Sequence, residues 1–155
     1  MVKSEKPKIY IASDHAGLEV KEKLKKYLQS KKYDFNDLGP YTYEKNDDYP
    51  DYAFKVAQLV SKNNNSNGIL ICGTGGGTAI AANKVKGIRA VEAYDKYSAK
   101  MSKEHNNSNI LTLGARNLSL DRIMKIIIIW LKTPFSNQER HIRRIKKITN
   151  FENQR

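Results

Sequence analysis

The stretch Gly68-Ile69-Leu70-Ile71-Cys72-Gly73-Thr74-Gly75-Gly76-Gly77-Thr78 decides how this chain folds. Its first five residues form a continuous apolar run, which reads as a strand covered on both faces, as in a parallel sheet. Glycines fill four of the next five positions, and a helix through about Val85 follows. A strand, a glycine turn and a helix make the repeating unit of an α/β domain.

The same alternation continues on both sides. Lys8 to Ala12 is a short β-branched and aromatic run that reads as a buried strand. Gly17 to Ser30 carries Leu18, Val20, Leu24, Tyr27 and Leu28 at helical spacing, with its lysines on the opposite face. Tyr33 to Leu38 reads as a second strand closed by Gly39-Pro40, and 41–48 as a polar loop. Pro50 sits where a helix begins, with Tyr52, Val56, Leu59 and Val60 as its buried stripe. Asn63 to Asn67 reads as a polar turn. Ile88 to Ala93 and Ile110 to Leu113 read as further strands, and Tyr97–Glu104, Ser119–Lys132 and Asn137–Thr149 as helices. Ser119 is placed to cap its helix, with Asp121 in the first turn. This order predicts one α/β domain, a three-layer α/β/α sandwich on a five-stranded parallel sheet. Ligands of such sheets bind at the carboxyl ends of the strands, where strand order reverses.

At 155 residues the chain fits a single domain, 1–155, with 1–7 and 150–155 expected to be flexible ends. Hydrophobic residues at 39% and charged residues at 28% fit a globular protein. The N-terminus lacks the pattern of a secretory signal, and Ile126–Leu131 is far shorter than the roughly 20 residues of a membrane span. One cysteine makes no internal disulfide, and no Cys or His cluster has zinc spacing. The expectation is a cytoplasmic, reduced, metal-free protein. A net charge of +12 admits nucleic acid or a phosphorylated small molecule as partner. The lysines are scattered without interleaved glycine or aromatic residues, and Asn, Ile and Lys are abundant throughout, which points to compositional bias. Nucleic acid is the less favoured partner.

Chemistry-bearing residues gather at the ends of elements. The amides of Gly73, Gly75, Gly76 and Gly77 can point into one concavity and take an anion or a developing oxyanion, or can simply make a tight turn. Cys72 precedes them. It is either a small core residue or, at a strand end beside those amides, a usable thiolate suited to removing a proton next to a carbonyl. Asp14 and His15 are either an N-cap pair or part of a site, and His105 is either a helix cap or a site residue. Arg140 and Arg144 lie about 40° apart on one helix face, with His141 beside them and Ile142, Ile145 and Ile148 as the adjacent stripe. Two forked guanidiniums on one ridge suit a phosphate, and Arg143, Lys146 and Lys147 fall on the solvated side.

These residues fall in motifs: Ser-Asp-His-Ala-Gly (13–17), Asp-Tyr-Pro (48–50), Gly-Ile-Leu-Ile-Cys-Gly-Thr-Gly (68–75), Ala-Ala-Asn-Lys (81–84), Gly-Ile-Arg-Ala (87–90), His-Asn-x-x-Asn (105–109) and Arg-His-x-x-Arg (140–144). From about Lys8 to Thr149 the sequence resembles the ribose-5-phosphate isomerase B family, which also includes the galactose-6-phosphate isomerase subunits. The resemblance implies a flavodoxin/Rossmann-like domain, a homodimer or tetramer with a shared active site, and a C-terminal helix at the dimer interface. It implies no cofactor and no membrane. The implied reaction interconverts ribose 5-phosphate and ribulose 5-phosphate through an enediolate, in the non-oxidative pentose phosphate pathway. By the same resemblance Cys72 moves the carbon-bound proton, and Thr74 with the amides of Gly73 to Gly77 binds substrate and the oxyanion. His105 opens the sugar ring, and Asp14 and Asn106 handle hydroxyls. His15, Arg116, Arg140, His141 and Arg144 hold the phosphate or position substrate, and Tyr49 lines the site. A hexose 6-phosphate (allose or galactose) is the alternative substrate, and a non-catalytic phosphate or nucleic-acid binder the alternative class. Gly76 and Thr78 depart from the aliphatic residues expected in the loop. The 63–67 segment and the tail beyond Thr149 read as solvent-facing additions.

Overall fold

The computed structural model describes residues 6–154. The expectation for residues 1–5 and 155 lies outside the described part. The elements run β1 (Lys8–Ser13), α1 (Leu18–Ser30), β2 (Phe35–Asp37), α2 (Tyr49–Lys62), β3 (Ser66–Cys72), α3 (Gly76–Ala82), β4 (Ala90–Glu92), α4 (Lys96–Glu104), β5 (Ile110–Gly114), α5 (Leu120–Lys132) and α6 (Glu139–Glu152). All strand pairs are parallel, in the order β2-β1-β3-β5-β4. The five-stranded α/β/α sandwich is as expected, with one difference. Relative to the flavodoxin order 2-1-3-4-5, the last two strands are exchanged. Every residue of β5 is buried, whereas Val91 and Glu92 of β4 are only half-buried. The shorter, more polar strand therefore takes the edge.

Alternate strand residues feed two cores. On one face Ile9, Ile11, Ile69, Ile71, Leu111 and Leu113 pack under α1, α4 and α5. On the other, Tyr10, Ala12, Leu70 and Ile110 pack under α2 and α3. α5 supplies Ile123, Ile126, Ile127 and Trp130 to the first core, each such side chain stabilising by roughly 1.5–3 kcal/mol on burial. Ser119 caps α5, its Oγ accepting from Arg122 N at 3.4 Å. No helix among the described residues is long and apolar enough to cross a membrane.

Several boundaries shift for local reasons. β3 starts at Ser66, not Gly68, because Ser66 and Asn67 pair with Lys8 and Ile9 of β1 and are buried. Asn67 Oδ1 accepts from Lys103 Nζ at 3.0 Å, so two of the five residues of the expected polar turn are sheet. Lys21 is not on the solvated face of α1. It is fully buried, and its Nζ donates to Asp37 Oδ1 and Pro40 O, both at 2.6 Å. Burial alone would raise the Asp37 carboxyl, but hydrogen bonds from Lys21, Gly39 N–H and Lys25 outweigh it and hold the group below its ordinary range. α3 ends at Ala82 because Asn83 leaves the helix to bond both backbone groups of Ala90 through its side-chain amide. That clamp starts β4. α6 runs past Thr149 to Glu152, and Glu152 Oε2 accepts from Gly87 N at 3.0 Å. The end expected to be loose from residue 150 is thus helical through Glu152.

Candidate active site

Strand order reverses between β1 and β3, so the carboxyl ends of these two strands open a crevice. Asp14 follows β1, and its N–H donates to Ile71 O at 3.1 Å, tying the two strand ends together. Its Oδ1 accepts from Ala16 N (2.9 Å) and Gly17 N (3.2 Å), capping a short 3₁₀ turn, His15–Gly17. Burial lifts the Asp14 carboxyl above its ordinary range, against the pull of those two amides and of His15. Cap and site are therefore the same residue.

His15 is held by a residue that sequence reading left in a polar loop. Asp47 Oδ1 lies 2.6 Å from His15 Nδ1 and also accepts from His15 N at 3.2 Å. On the other side of the ring, Nε2 is 3.5 Å from an Arg116 guanidinium nitrogen. The neutral tautomer that satisfies both neighbours carries its proton on Nδ1. Nothing in the spacing of 41–48 marks Asp47, because the loop reaches back across more than thirty residues to make this contact. Asp14, His15 and Asp47 each bring one metal-ligand atom within 4.8 Å of the others. Among these groups, one Asp14 oxygen is engaged by amides, and His15 and Asp47 are engaged with each other.

Cys72 closes β3 and is 3% exposed. Its Sγ accepts from Gly75 N at 3.1 Å, and Thr78 Oγ1 lies 3.5 Å from it. Gly75 adopts φ +93°, a left-handed conformation, and this turn aims its N–H at the sulfur. The following helix, α3, has only seven residues, so the loop amides themselves supply the local positive field. Gly77 is glycine for a different reason. A Cβ there would lie 2.6 Å from the Tyr49 ring, which packs over the loop from the start of α2. The segment after β5 docks alongside, Ala115 N donating to Cys72 O at 2.8 Å and Arg116 N to Gly73 O at 2.9 Å. The Arg116 side chain then lies over Gly73. Thr74 is exposed at the tip of the loop, and Gly76 faces Glu92. One edge of the sheet thus collects a thiol, donor amides, a buried carboxyl, a carboxylate-backed imidazole and a guanidinium. That set can bind a polyhydroxylated anion and move a proton beside a carbonyl.

The remaining candidates lie elsewhere. His105 caps the carboxyl end of α4, its N–H donating to Met101 O. Helices here run back along parallel strands, so His105 stands at the amino edge of the sheet. Cys72 is aligned with Gly114 at the other end of β5, and the four rises from Ile110 to Gly114 span about 13 Å at the usual rise of a strand. Within a single chain His105 and Cys72 therefore stand at opposite edges of the sheet. The His105 ring packs against that of His141, centroids 4.4 Å apart and planes tilted by 42°. His141 is 3% exposed, and its Nδ1 lies 2.8 Å from Ser136 Oγ. It anchors α6 instead of lying open beside the arginines. Burial and the charges of His105, Arg140 and Arg144 hold His141 below its ordinary range. Arg140 and Arg144 are exposed near this amino edge. Asn106 also sits here, its carbonyl accepting from Arg89 Nε. Arg89 further donates to Asn107 O, and Asn109 bonds Arg89 N and Gly87 O through its side chain. Two of the sequence motifs therefore meet each other to build the sheet edge.

A family model described as Ribose/Galactose Isomerase matches residues 9–148. The probable ribose-5-phosphate isomerase B of Mycoplasma genitalium is 45% identical over 145 residues, spanning 93% of this chain and 95% of that protein. Ribose-5-phosphate isomerase B of Escherichia coli is 39% identical over 148 residues, 96% of this chain and 98% of that one. A crystal structure of the M. genitalium enzyme with bound ribulose 5-phosphate superposes with a TM-score of 0.93 at 44% identity, covering 96% of this chain and 97% of that chain.

Proposed function

Since the chain belongs to the ribose/galactose isomerase family, we propose that it interconverts ribose 5-phosphate and ribulose 5-phosphate, with Cys72 as the base. The observation that carries this reading is the buried Cys72 Sγ facing the Gly75 amide at the switch point of the sheet. The likeness to an enzyme solved with ribulose 5-phosphate bound supports the choice of sugar.

In the forward step the Cys72 thiolate takes the proton from C2 of the open-chain aldose. The C2–H electrons become the C1–C2 double bond, and negative charge moves onto the carbonyl oxygen. The amides of Gly73 to Gly77 and the Thr74 hydroxyl receive that charge. A proton then passes from the C2 hydroxyl to the C1 oxygen, the O2 electrons form the C2 carbonyl, and Cys72 returns its proton to C1, giving the ketose and the free thiolate. Asp14, lifted by burial, exchanges protons with the substrate hydroxyls. His15, backed by Asp47, and Arg116 hold the polar end of the substrate, while Tyr49 limits the crevice.

His105, Asn106, Arg140 and Arg144 act in the crevice of a second copy of the chain. Their gathering at the opposite edge supports this, as does the exposed stripe of Ile142 (46%) and Ile148 (57%) on α6. A homodimer, or a tetramer built from it, then completes each site. A reducing compartment such as the cytoplasm suits a mechanism that needs the lone thiol unoxidised.

The test is turnover of ribose 5-phosphate beside allose 6-phosphate and galactose 6-phosphate. Higher kcat/KM on the pentose is expected. Faster turnover of either hexose would overturn the substrate assignment, and absence of isomerisation with salt-sensitive binding of DNA or RNA would overturn the activity.

A further inference from the structure

Thr78 departs from the aliphatic residue that the family resemblance led one to expect, and the structure places its hydroxyl against the base. It is 1% exposed. Its Oγ1 donates to Gly75 O at 2.9 Å and lies 3.5 Å from Cys72 Sγ. Gly75 O does not depend on that bond, because it also accepts from Ala79 N at 3.1 Å. The hydroxyl can therefore rotate about Cβ–Oγ1 without leaving a buried carbonyl unpaired.

We propose that Thr78 is a positioning residue for Cys72 that serves both protonation states of the sulfur. When Cys72 is a thiol, its S–H points at Thr78 Oγ1, and the Thr78 hydroxyl hydrogen stays on Gly75 O. When Cys72 is a thiolate, the hydroxyl turns and donates to sulfur, joining the Gly75 N–H as a second donor. No proton passes through Thr78. Only the direction of its O–H changes as Cys72 takes a proton from carbon and gives one back. An aliphatic side chain here would leave one donor for the thiolate and no acceptor for the thiol. The charged and titratable neighbours of this corner are Asp14 after β1, Glu92 of β4, Arg116 after β5, and His15 and Tyr49 at the crevice wall. None is removed by changing Thr78.

This inference rests on Cys72 being the base, and its test reads the sulfur without turnover. The chain has one cysteine, so alkylation by iodoacetamide, followed by intact mass across pH, reports Cys72 alone. Thr78→Val keeps the shape and removes the hydroxyl, whereas Thr78→Ser keeps the hydroxyl and removes the methyl. Loss of a donor to a buried charge is expected to move the alkylation midpoint of Thr78→Val up by about one pH unit, roughly a tenfold loss of thiolate. The acid limb of kcat/KM should move with it. Thr78→Ser should stay within a few tenths of a unit of wild type. An unshifted midpoint in Thr78→Val overturns the proposal. So does a shift in Thr78→Ser with none in Thr78→Val, which would assign the role to packing by the methyl. Activity surviving in Cys72→Ala would refute the base assignment instead, leaving the alkylation result as a statement about the thiol only.

Discussion

Mixing two inactive variants should restore activity, because Cys72 and His105 of one chain cannot reach the same sugar. β5 spans Ile110–Gly114, with Cys72 aligned to Gly114 and His105 before the other end. The four rises from Ile110 to Gly114 set the two ends of β5 about 13 Å apart, whereas a general acid or base must come within roughly 3 Å of the atom it serves. Cys72→Ala should lose roughly 10²–10⁴ in turnover, and His105→Ala should lose most ring-opening activity on cyclic substrate. In a dimer of one of each, one crevice carries both substitutions and the other carries neither. Random reassortment makes about half the dimers mixed, so the mixture should regain roughly a quarter of wild-type activity. The experiment co-expresses the variants with different affinity tags and isolates the mixed dimer, which should show about half of the wild-type rate per mole of dimer. A mixed dimer no more active than its parents would refute the division of the site between copies.

Other consequences follow from single contacts. Burial, with Arg89 nearby, lowers the Lys103 ammonium to about 8. Its folded value thus lies below its unfolded one, so the folding penalty is complete at pH 7 and fades as pH rises through 8 toward 10.5. Wild type should therefore gain about 2–3 kcal/mol relative to Lys103→Met between pH 7 and 10 in denaturant titrations; a pH-independent gap would show that Lys103 is not held charged at a cost. Gly77→Ala would drive a Cβ to 2.6 Å from the Tyr49 ring and should lower kcat/KM by roughly tenfold or more, with partial recovery in Gly77→Ala/Tyr49→Ala. If the double variant is no better than the single, Tyr49 is not the obstructing group. Arg144→Ala should raise KM for ribose 5-phosphate by roughly tenfold at nearly unchanged kcat, whereas Arg143→Ala should leave both near wild type; equal effects would count against an arginine face.

The layered fold was legible because buried parallel strands write themselves as apolar runs such as 68–72 and 110–113. Boundaries were less legible where polar residues enter the sheet. Ser66 and Asn67 look like turn but pair with β1, and Asn67 is matched by Lys103 from α4, a contact no local pattern carries. Lys21 looks like a surface lysine until Asp37 and the Pro40 carbonyl are brought over it. For the site, Cys72 and the glycine loop were readable, since strand end and turn are adjacent in sequence. Asp47 was not, because its role comes from a contact with His15 made across a loop, which no local spacing carries. His105 and the α6 arginines were identified as residue types, but their edge of the sheet depends on helix direction relative to the strands. Asn83 and Asn109 sit in recognisable motifs, yet in this structure their side chains bond backbone of the β4 segment.

The most direct test of the account is conversion of ribose 5-phosphate in D₂O by wild type and Cys72→Ala, following both ketose formation and deuterium entering C1. Wild type should form ribulose 5-phosphate carrying solvent deuterium to the extent that the Cys72 proton exchanges during the enediolate's lifetime. Cys72→Ala should lose isomerisation and exchange together, by roughly 10²-fold or more, while still binding the substrate. Isomerisation by Cys72→Ala within about tenfold of wild type would contradict Cys72 as the group that moves the proton.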